Sequence, residues 1–171
     1  MLFVTLVGNP KAESRTRTVA LAAARAVIAA TGVEAQHQTI DLSDLACRLL
    51  LPQPSAVIED AVETVLAADV LLVASPVFKG TYSGLLKVFL DRLGYRALSS
   101  TVALPLLVMK HPDHALAVEV HLRPLLIELG ATVPTPGLAV FESDLGRLDE
   151  VLARWTARVS GAITRPVAAT M

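Results

Sequence analysis

Two short polar stretches carry the residues best suited to ligand binding. The first, GNPKAESRTR at 8–17, combines Lys11 and two arginines with serine and threonine hydroxyls. The second, SPVFKGTYSG at 75–84, combines Lys79 with two aromatic rings and further hydroxyls. Cations, hydroxyls and backbone N–H groups bind phosphate, and aromatic rings offer a surface to a flat ligand. Together the stretches predict a site for a planar, partly anionic ligand.

Each stretch lies between an apolar run and a helical pattern. Residues 1–7 predict a strand, and an alanine-rich helix is expected over 14–31 because Gly32 can end it. Residues 70–73 predict a buried strand, and apolar residues recur at helical spacing over 85–93. Strand, loop and helix in this order place both loops at the carboxyl ends of strands, where open α/β sheets bind ligands. Hydroxyls and lysines are common in ordinary capped loops, so each stretch alone also fits a purely structural role.

The rest of the chain continues the alternation of strands and helices. Pro124 is expected to kink or split the second-to-last helix, and Pro105 is unfavourable within its strand because proline cannot donate to a sheet ladder. Cys47, in an irregular stretch at 42–55, is interpreted as a small buried hydrophobic residue. Ser143 or Asp144 is expected to cap the last helix. The remaining predicted strands are 33–41, 101–109 and 133–141, and the remaining predicted helices are 56–68, 113–130 and 143–161.

Five strands alternating with helices predict an α/β fold with a parallel sheet covered on both faces. The flavodoxin-like order 2-1-3-4-5 suits this count and binds FMN at the switch point between strands 1 and 3. Those strands lead into 8–17 and 75–84, so the two stretches are expected to meet. We predict a single doubly wound domain over 1–171, with 165–171 as a loose tail.

Composition limits the classes of partner. A net charge of −1 and a pI near 6.4 argue against nucleic acid or an anionic membrane as a partner. Cys47 is the only cysteine, which excludes an intrachain disulfide, and the first residues lack the pattern of a signal peptide. A cytoplasmic protein is therefore expected. Hydrophobic residues make up 53%, an excess that predicts a subunit interface in a homodimer or homotetramer.

At these motifs the sequence resembles the NADPH-dependent FMN reductase family. The likeness is greatest to the flavin reductase components of two-component alkanesulfonate monooxygenase systems, and it spans about 3–137. Asn9 stands where the family usually has serine. The motifs that carry the resemblance are GNPKAESRT at 8–16, ASPVFKGTYSGLLKVFLDRL at 74–93, VALPLLV at 102–108 and LRPLLIELGA at 122–131.

The resemblance implies reduction of FMN by NADPH or NADH, with reduced flavin passing to a flavin-dependent monooxygenase. The 8–16 loop would hold the FMN phosphate, chiefly through Ser14 and Thr16 with Arg15 nearby, and 76–83 would line the isoalloxazine ring. No catalytic residue and no metal are expected, because the cofactor supplies the chemistry and the protein positions two rings. The predicted cofactor-binding residues are Gly8, Asn9, Pro10, Ser14, Arg15, Thr16, Pro76, Val77, Phe78, Lys79, Gly80, Thr81, Tyr82, Ser83, Lys110 and His111.

The chain departs from the family pattern after strand 4. The family often has a Gly-Gly pair there, whereas this chain has KHPDHA at 110–115 and no glycine. Without glycine the backbone cannot approach the flavin as closely, which predicts weak, exchangeable FMN and a nearly colourless purified protein. Some sulfonate-linked reductases also carry an inserted tyrosine associated with a π-helix in the next helix. Here the matching stretch has Val120 and His121.

Three other functions remain open at this point. A quinone or azo-compound reductase would retain its FMN and pass the electrons elsewhere. An electron carrier of flavodoxin type fits less well, because carriers often use strongly acidic faces and this chain is nearly neutral. A binding or structural module with a degenerate flavin site is also compatible with the missing glycines.

Overall fold

The fold is a five-stranded parallel sheet in the order β2-β1-β3-β4-β5, as predicted. The computed structural model describes residues 1–51 and 53–163. All residues of the two central strands, β3 and β4, are buried, which explains their uninterrupted apolar sequences. The edge strand β2 has exposed and half-buried positions and no fully buried one. The strands are β1 Leu2–Val7, β2 Gln36–Asp41, β3 Val70–Pro76, β4 Val102–Met109 and β5 Leu138–Phe141.

Helices cover both faces of the sheet and form two apolar layers. One layer packs α1 and α6 against the sheet, and the other packs α3, α4, α5 and a π-helical segment. In the part of the chain that the structure describes, no helix has the length and apolar character needed to cross a membrane. The α-helices are α1 Arg15–Thr31, α2 Ala46–Leu49, α3 Ala56–Leu66, α4 Gly84–Leu90, α5 Arg123–Glu128 and α6 Leu148–Ile163. The 3₁₀ helices are Leu42–Asp44, Pro112–His114 and Glu142–Arg147, and the π-helical segment is Val118–Leu122.

Pro105 lies within β4 at a point where the sheet needs no donor from it. The N–H of Ala103, two residues earlier, donates to Thr132 O on the β5 side at 2.8 Å. The nitrogen of Pro105 faces the same side, but β5 pairs with β4 only from Leu106↔Leu138 onward. The proline therefore occupies the gap before β5 begins, where no ladder bond is lost.

Two predicted boundaries near the end of the chain are wrong. Residues 133–137 are a connection rather than part of β5, because Pro134 and Pro136 have no N–H and the strand starts after them. The last helix begins at Leu148, not at 143, because a 3₁₀ helix occupies Glu142–Arg147 first. Asp144 bonds to Arg147 at 2.7 Å, and neither Ser143 nor Asp144 caps the α-helix. The predicted tail at 165–171 lies outside the described residues.

The helix predicted over 113–130 is split, as expected, and the break takes an unexpected form. Val118–Leu122 forms a π-helical segment directly before α5, and the N–H of Arg123 reaches back five residues to Val118 O. Pro124 is the second residue of α5, where its missing N–H costs least. A π-helical segment therefore forms here although its sequence, VEVHL, contains no tyrosine.

Cys47 is exposed, so its interpretation as a buried hydrophobic residue is wrong. It lies on the short helix α2, whose inward positions are taken by Leu45 and Leu49. A residue two positions from each of these points away from the core on a helix, and this places the thiol at the surface.

Candidate active site

Three loops at the carboxyl ends of β1, β3 and β4 enclose one cavity. Its volume is about 640 Å³, within the range of small-molecule and cofactor sites. The 3₁₀ segment that follows β5 adds one residue to its wall. The cavity is lined by Asn9, Pro10, Lys11, Glu13, Ser14, Arg15, Thr16, Pro76, Val77, Phe78, Val108, Met109, Lys110 and Glu142.

The loop after β1 is braced from within by Asn9. Its side-chain oxygen accepts the N–H of Lys11 at 2.9 Å, and its side-chain nitrogen donates to Thr16 Oγ1 at 3.1 Å. Both Asn9 and Thr16 are buried. Ser14 caps α1 by accepting the N–H of Arg17 at 3.2 Å. The asparagine that departs from the family pattern thus makes contacts that set the shape of the loop.

The same loop presents positive charge to the cavity at a helix N terminus. Lys11 and Arg15 are exposed and line the cavity where α1 begins. The partial positive charge of a helix N terminus adds to these cations and favours an anion. Glu13 has a left-handed backbone with φ 50°, which ordinary residues adopt at a cost, so the turn into α1 carries local strain. Arg15 Nη1 also lies 2.5 Å from Glu142 Oε2.

The loop after β3 forms a two-residue hairpin at the cavity edge. The N–H groups of Phe78 and Thr81 bond to each other's carbonyl oxygens at 2.8 and 3.3 Å. Lys79 and Gly80, between them, have φ values of 53° and 82°, as a type I′ turn requires. The hairpin places the half-exposed Phe78 ring against the cavity and leaves Lys79 exposed at its tip.

The base of this second loop is held by two buried serines. Ser75 Oγ accepts the N–H of Ser83 at 2.9 Å and donates to Pro76 O at 2.9 Å. Ser83 Oγ accepts the N–H of Leu86 at 3.1 Å and so caps α4. These hydroxyls are committed to the protein's own backbone, so they position the loop.

The cavity brings together only part of the predicted cofactor set. Tyr82 is half-buried and packs against the core. The predicted cofactor-binding residues that line the cavity are Asn9, Pro10, Ser14, Arg15, Thr16, Pro76, Val77, Phe78 and Lys110. Those outside its lining are Gly8, Lys79, Gly80, Thr81, Tyr82, Ser83 and His111.

Five lining residues were absent from the predicted set. Val108 and Met109 end β4 and could have been found from the rule that strand ends face the ligand. Lys11 and Glu13 lie within the first polar stretch. Glu142 follows β5, and no motif in the sequence marks it as a site residue.

The loop after β4 reaches the cavity through Lys110. The rings of His111 and His114 pack edge to face with centroids 6.2 Å apart. Within residues 1–51 and 53–163, no group of three or more His, Cys, Asp or Glu side chains could hold a metal ion.

Glu119 fastens the connection that leads into β5. Its carboxylate accepts Arg123 Nε at 2.5 Å and the N–H of Gly137 at 2.6 Å. Arg123 in turn donates to the carbonyl oxygens of Val133 and Thr135. Burial acts to raise the pKa of Glu119, but the bonds from Arg123 and Gly137 outweigh it and lower the pKa below the usual range. This network positions β5 and, through it, Glu142.

A model of the NADPH-dependent FMN reductase family matches residues 1–145 of the chain. The match covers β1 to β5 and every loop that lines the cavity. The chain belongs to this family. The resemblance seen in the motifs is thereby confirmed.

Known proteins similar to this chain support its membership of the FMN reductase family. It is 37% identical over 131 residues to the FMN reductase (NADPH) of Escherichia coli strain K12, covering 77% of this chain and 68% of the relative. It is 33% identical over 113 residues to the NADH-dependent FMN reductase SfnF of Pseudomonas fluorescens strain Pf0-1, and the match covers 64% of this chain and 60% of the relative. The apo crystal structure of the NADH:FMN oxidoreductase EMOB superimposes with a TM-score of 0.75 and 31% identity, covering 91% of this chain and 88% of that one.

Proposed function

We propose that the chain is an NAD(P)H-dependent FMN reductase that binds FMN in the three-loop cavity and releases it after reduction. The observation that carries this function is the convergence of a cationic helix N terminus and an aromatic hairpin on one cavity of about 640 Å³. The family match and the reductase relatives support the same activity.

The end of the cavity at the β1 loop suits the FMN phosphate. Lys11 and Arg15 supply positive charge, and Ser14 supplies a hydroxyl beside the first turn of α1. Charge-assisted hydrogen bonds of this kind are the strong ones in protein–phosphate recognition. The donor set therefore fits a phosphate group.

The other end of the cavity suits the flavin ring. Phe78 offers an aromatic surface, and Pro76, Val77, Val108 and Met109 offer apolar side chains or backbone at the strand ends. A mostly apolar wall with a few polar groups is typical of cofactor sites. The lining thus combines charged and apolar residues, as FMN combines a phosphate with a flat ring.

The protein's task in this reaction is placement. FMN, when bound, supplies the hydride and electron-transfer chemistry. Bringing two rings into contact in the correct orientation accounts for much of the rate gain in such a transfer. No protein acid or base is needed, so the cavity residues bind and orient the two nucleotides.

Reduced flavin is proposed to pass to a flavin-dependent monooxygenase, with the reductase acting in the cytoplasm. Three features support release over retention of flavin. The loop after β4 has no glycine, the phosphate-binding arginine is already paired with Glu142, and several cavity residues are exposed to solvent. Both NADPH-dependent and NADH-dependent proteins occur among the relatives, and either nucleotide fits this proposal.

Self-association into a homodimer or homotetramer is also proposed. Leu116, in a turn after β4, and Val120 and Ile127, on the helical segments that follow, are 69%, 55% and 51% exposed. Exposed apolar side chains on neighbouring segments are typical of subunit contacts. Light scattering at micromolar concentration should give a multiple of 18.1 kDa, and a monomer would contradict this proposal.

The function is tested by steady-state kinetics. Purified protein should oxidise NADPH or NADH only when flavin is added, with rates that saturate in FMN. Substoichiometric FMN in the purified protein, measured from the visible spectrum, should accompany this behaviour. Absence of flavin-dependent oxidation with both nucleotides would overturn the proposal. Stoichiometric bound FMN with fast quinone reduction would favour the quinone reductase instead.

A further inference from the structure

An ion pair joins two walls of the cavity. Arg15 is the first residue of α1, and Glu142 is the first residue after β5. Arg15 Nη1 and Glu142 Oε2 are 2.5 Å apart. Their side chains remain 64% and 37% exposed, so both solvent and a ligand can reach the pair. The contact thus ties the phosphate-binding wall to the far edge of the sheet.

The pair changes the charge that an entering phosphate meets. The charged residues lining the cavity are Lys11, Glu13, Arg15, Lys110 and Glu142. With Arg15 bonded to Glu142, only the two lysines in this lining carry an unpaired positive charge. A phosphate at the β1 loop must therefore draw Arg15 away from Glu142 or lie beside a carboxylate of like charge. Either course lowers the affinity for a phosphate-bearing ligand.

We propose that Glu142 competes with the flavin phosphate for Arg15 and thereby keeps FMN exchangeable. This inference rests on the proposed function, because it requires the FMN phosphate at the β1 loop. Glu142 touches Arg15 and acts through it, so it is a positioning residue that sets flavin affinity. The expected signature is selective: FMN carries the phosphate that competes with Glu142, and riboflavin does not.

The test is a set of flavin titrations on variants in which a charged side chain is replaced by an uncharged one. Flavin fluorescence gives the Kd of FMN and of riboflavin for the wild type, Glu142→Gln, Arg15→Met and the double variant. Glu13→Gln is the matched control, since it removes a carboxylate from the same cavity wall that makes no ion pair within the described residues. Thermal melts confirm that each variant folds, and stopped-flow dissociation of FMN gives the release rate.

Glu142→Gln should lower the Kd of FMN by about fivefold, the upper range expected for an exposed ion pair, and slow FMN release to a similar extent. Riboflavin binding should not change, and Glu13→Gln should have a much smaller effect. In the Arg15→Met background the effect of Glu142→Gln should be much smaller, because there is no guanidinium to compete for and only the repulsion between carboxylate and phosphate remains.

Four results would overturn the inference. The first is an unchanged FMN affinity in Glu142→Gln, and the second is an equal gain in riboflavin affinity in that variant. The third is an equal gain in FMN affinity in Glu13→Gln. The fourth is an equal gain in FMN affinity when Glu142→Gln is added to Arg15→Met. In these cases the proposed function stands if the wild type still reduces FMN. Equal binding of FMN and riboflavin by an active wild type would overturn both this inference and the phosphate position. Absence of flavin-dependent activity in the wild type would overturn the proposed function itself.

Discussion

The hydroxyl of Ser83 donates to the main-chain carbonyl of Gly8, across 75 positions of sequence, at 2.5 Å. Both residues are buried. Gly8 directly follows β1, and Ser83 caps α4, so this bond ties the loop after β1 to the loop after β3. A Cβ on Gly8 would lie 2.7 Å from Leu86 Cβ, which means that the two elements approach too closely for a side chain. The cavity therefore depends on a direct contact between its two main loops.

Ser83→Ala should destabilise the protein by about 2–3 kcal/mol, because it removes a helix cap and leaves the buried Gly8 carbonyl unpaired. FMN affinity should fall as well, since the β1 loop loses an anchor. Urea unfolding and FMN titration measure the two effects. Ser143→Ala, at an exposed position, serves as the control. A Ser83→Ala protein of wild-type stability would show that this bond contributes nothing.

Replacing Lys110 and His111 by a Gly-Gly pair should tighten FMN binding. Lys110 lines the cavity, and glycine would allow the backbone of this loop to approach the flavin more closely. Fluorescence titration and the colour of the purified protein report the change, with the wild type expected to be nearly colourless.

The double alanine variant of the same positions separates two explanations. It removes both side chains without the backbone freedom of glycine, so it should tighten FMN less than the Gly-Gly variant. Equal tightening would mean that side-chain bulk, and not backbone approach, limits affinity. A wild type that purifies yellow with stoichiometric FMN would contradict the account of this loop altogether.

Glu119→Gln should lower the free energy of unfolding at neutral pH. It should also make the free energy of unfolding depend less on pH in the acid range. The folded pKa of Glu119 is lowered, so its contribution is complete above the unfolded value near 4.5 and is lost as pH falls through the folded pKa. Because the pair is partly exposed, the loss at pH 7 should be about 1 kcal/mol.

Urea unfolding of wild type and Glu119→Gln at several pH values from 7 down to the acid range gives the difference in free energy of unfolding. That difference should shrink as the pH falls below 4.5. Glu128→Gln, an exposed change on α5, should show no such convergence. A constant difference at every pH would mean that Glu119 acts through packing and not through its charge.

Lys79→Asn should stabilise the hairpin at the cavity edge. Lys79 has φ 53° at the first central position of a type I′ turn, where Asn followed by Gly is the favoured pair. Relief of the left-handed strain should be worth roughly 0.5–1 kcal/mol. Thermal unfolding measures the gain, and Lys79→Gln removes the same charge without the turn preference. Equal gains in the two variants would assign the effect to charge.

Local sequence patterns were sufficient for most elements, and the strand order followed from the known topology that suits five alternating strands. The buried runs of β3 and β4, the Gly32 end of α1 and the splitting effect of Pro124 all reflect interactions between near neighbours in the chain. The start of β5 and the start of α6 were misplaced. The start of β5 is set locally by Pro134 and Pro136, which have no N–H, and α6 starts late because the 3₁₀ helix Glu142–Arg147 precedes it.

For the site, residue types in two loops were enough to predict a phosphate-bearing planar ligand, because charge, hydroxyls and aromatic rings act over a short stretch. Which of those residues face the cavity depends on packing between distant segments. Tyr82 packs against the core and does not line the cavity, and the Ser83 hydroxyl donates to the Gly8 carbonyl. Glu142 meets Arg15 although 127 positions separate them, since α1 and the end of β5 come together only when the sheet is assembled. A contact between residues so far apart in the sequence produces no periodic pattern from which it could be predicted.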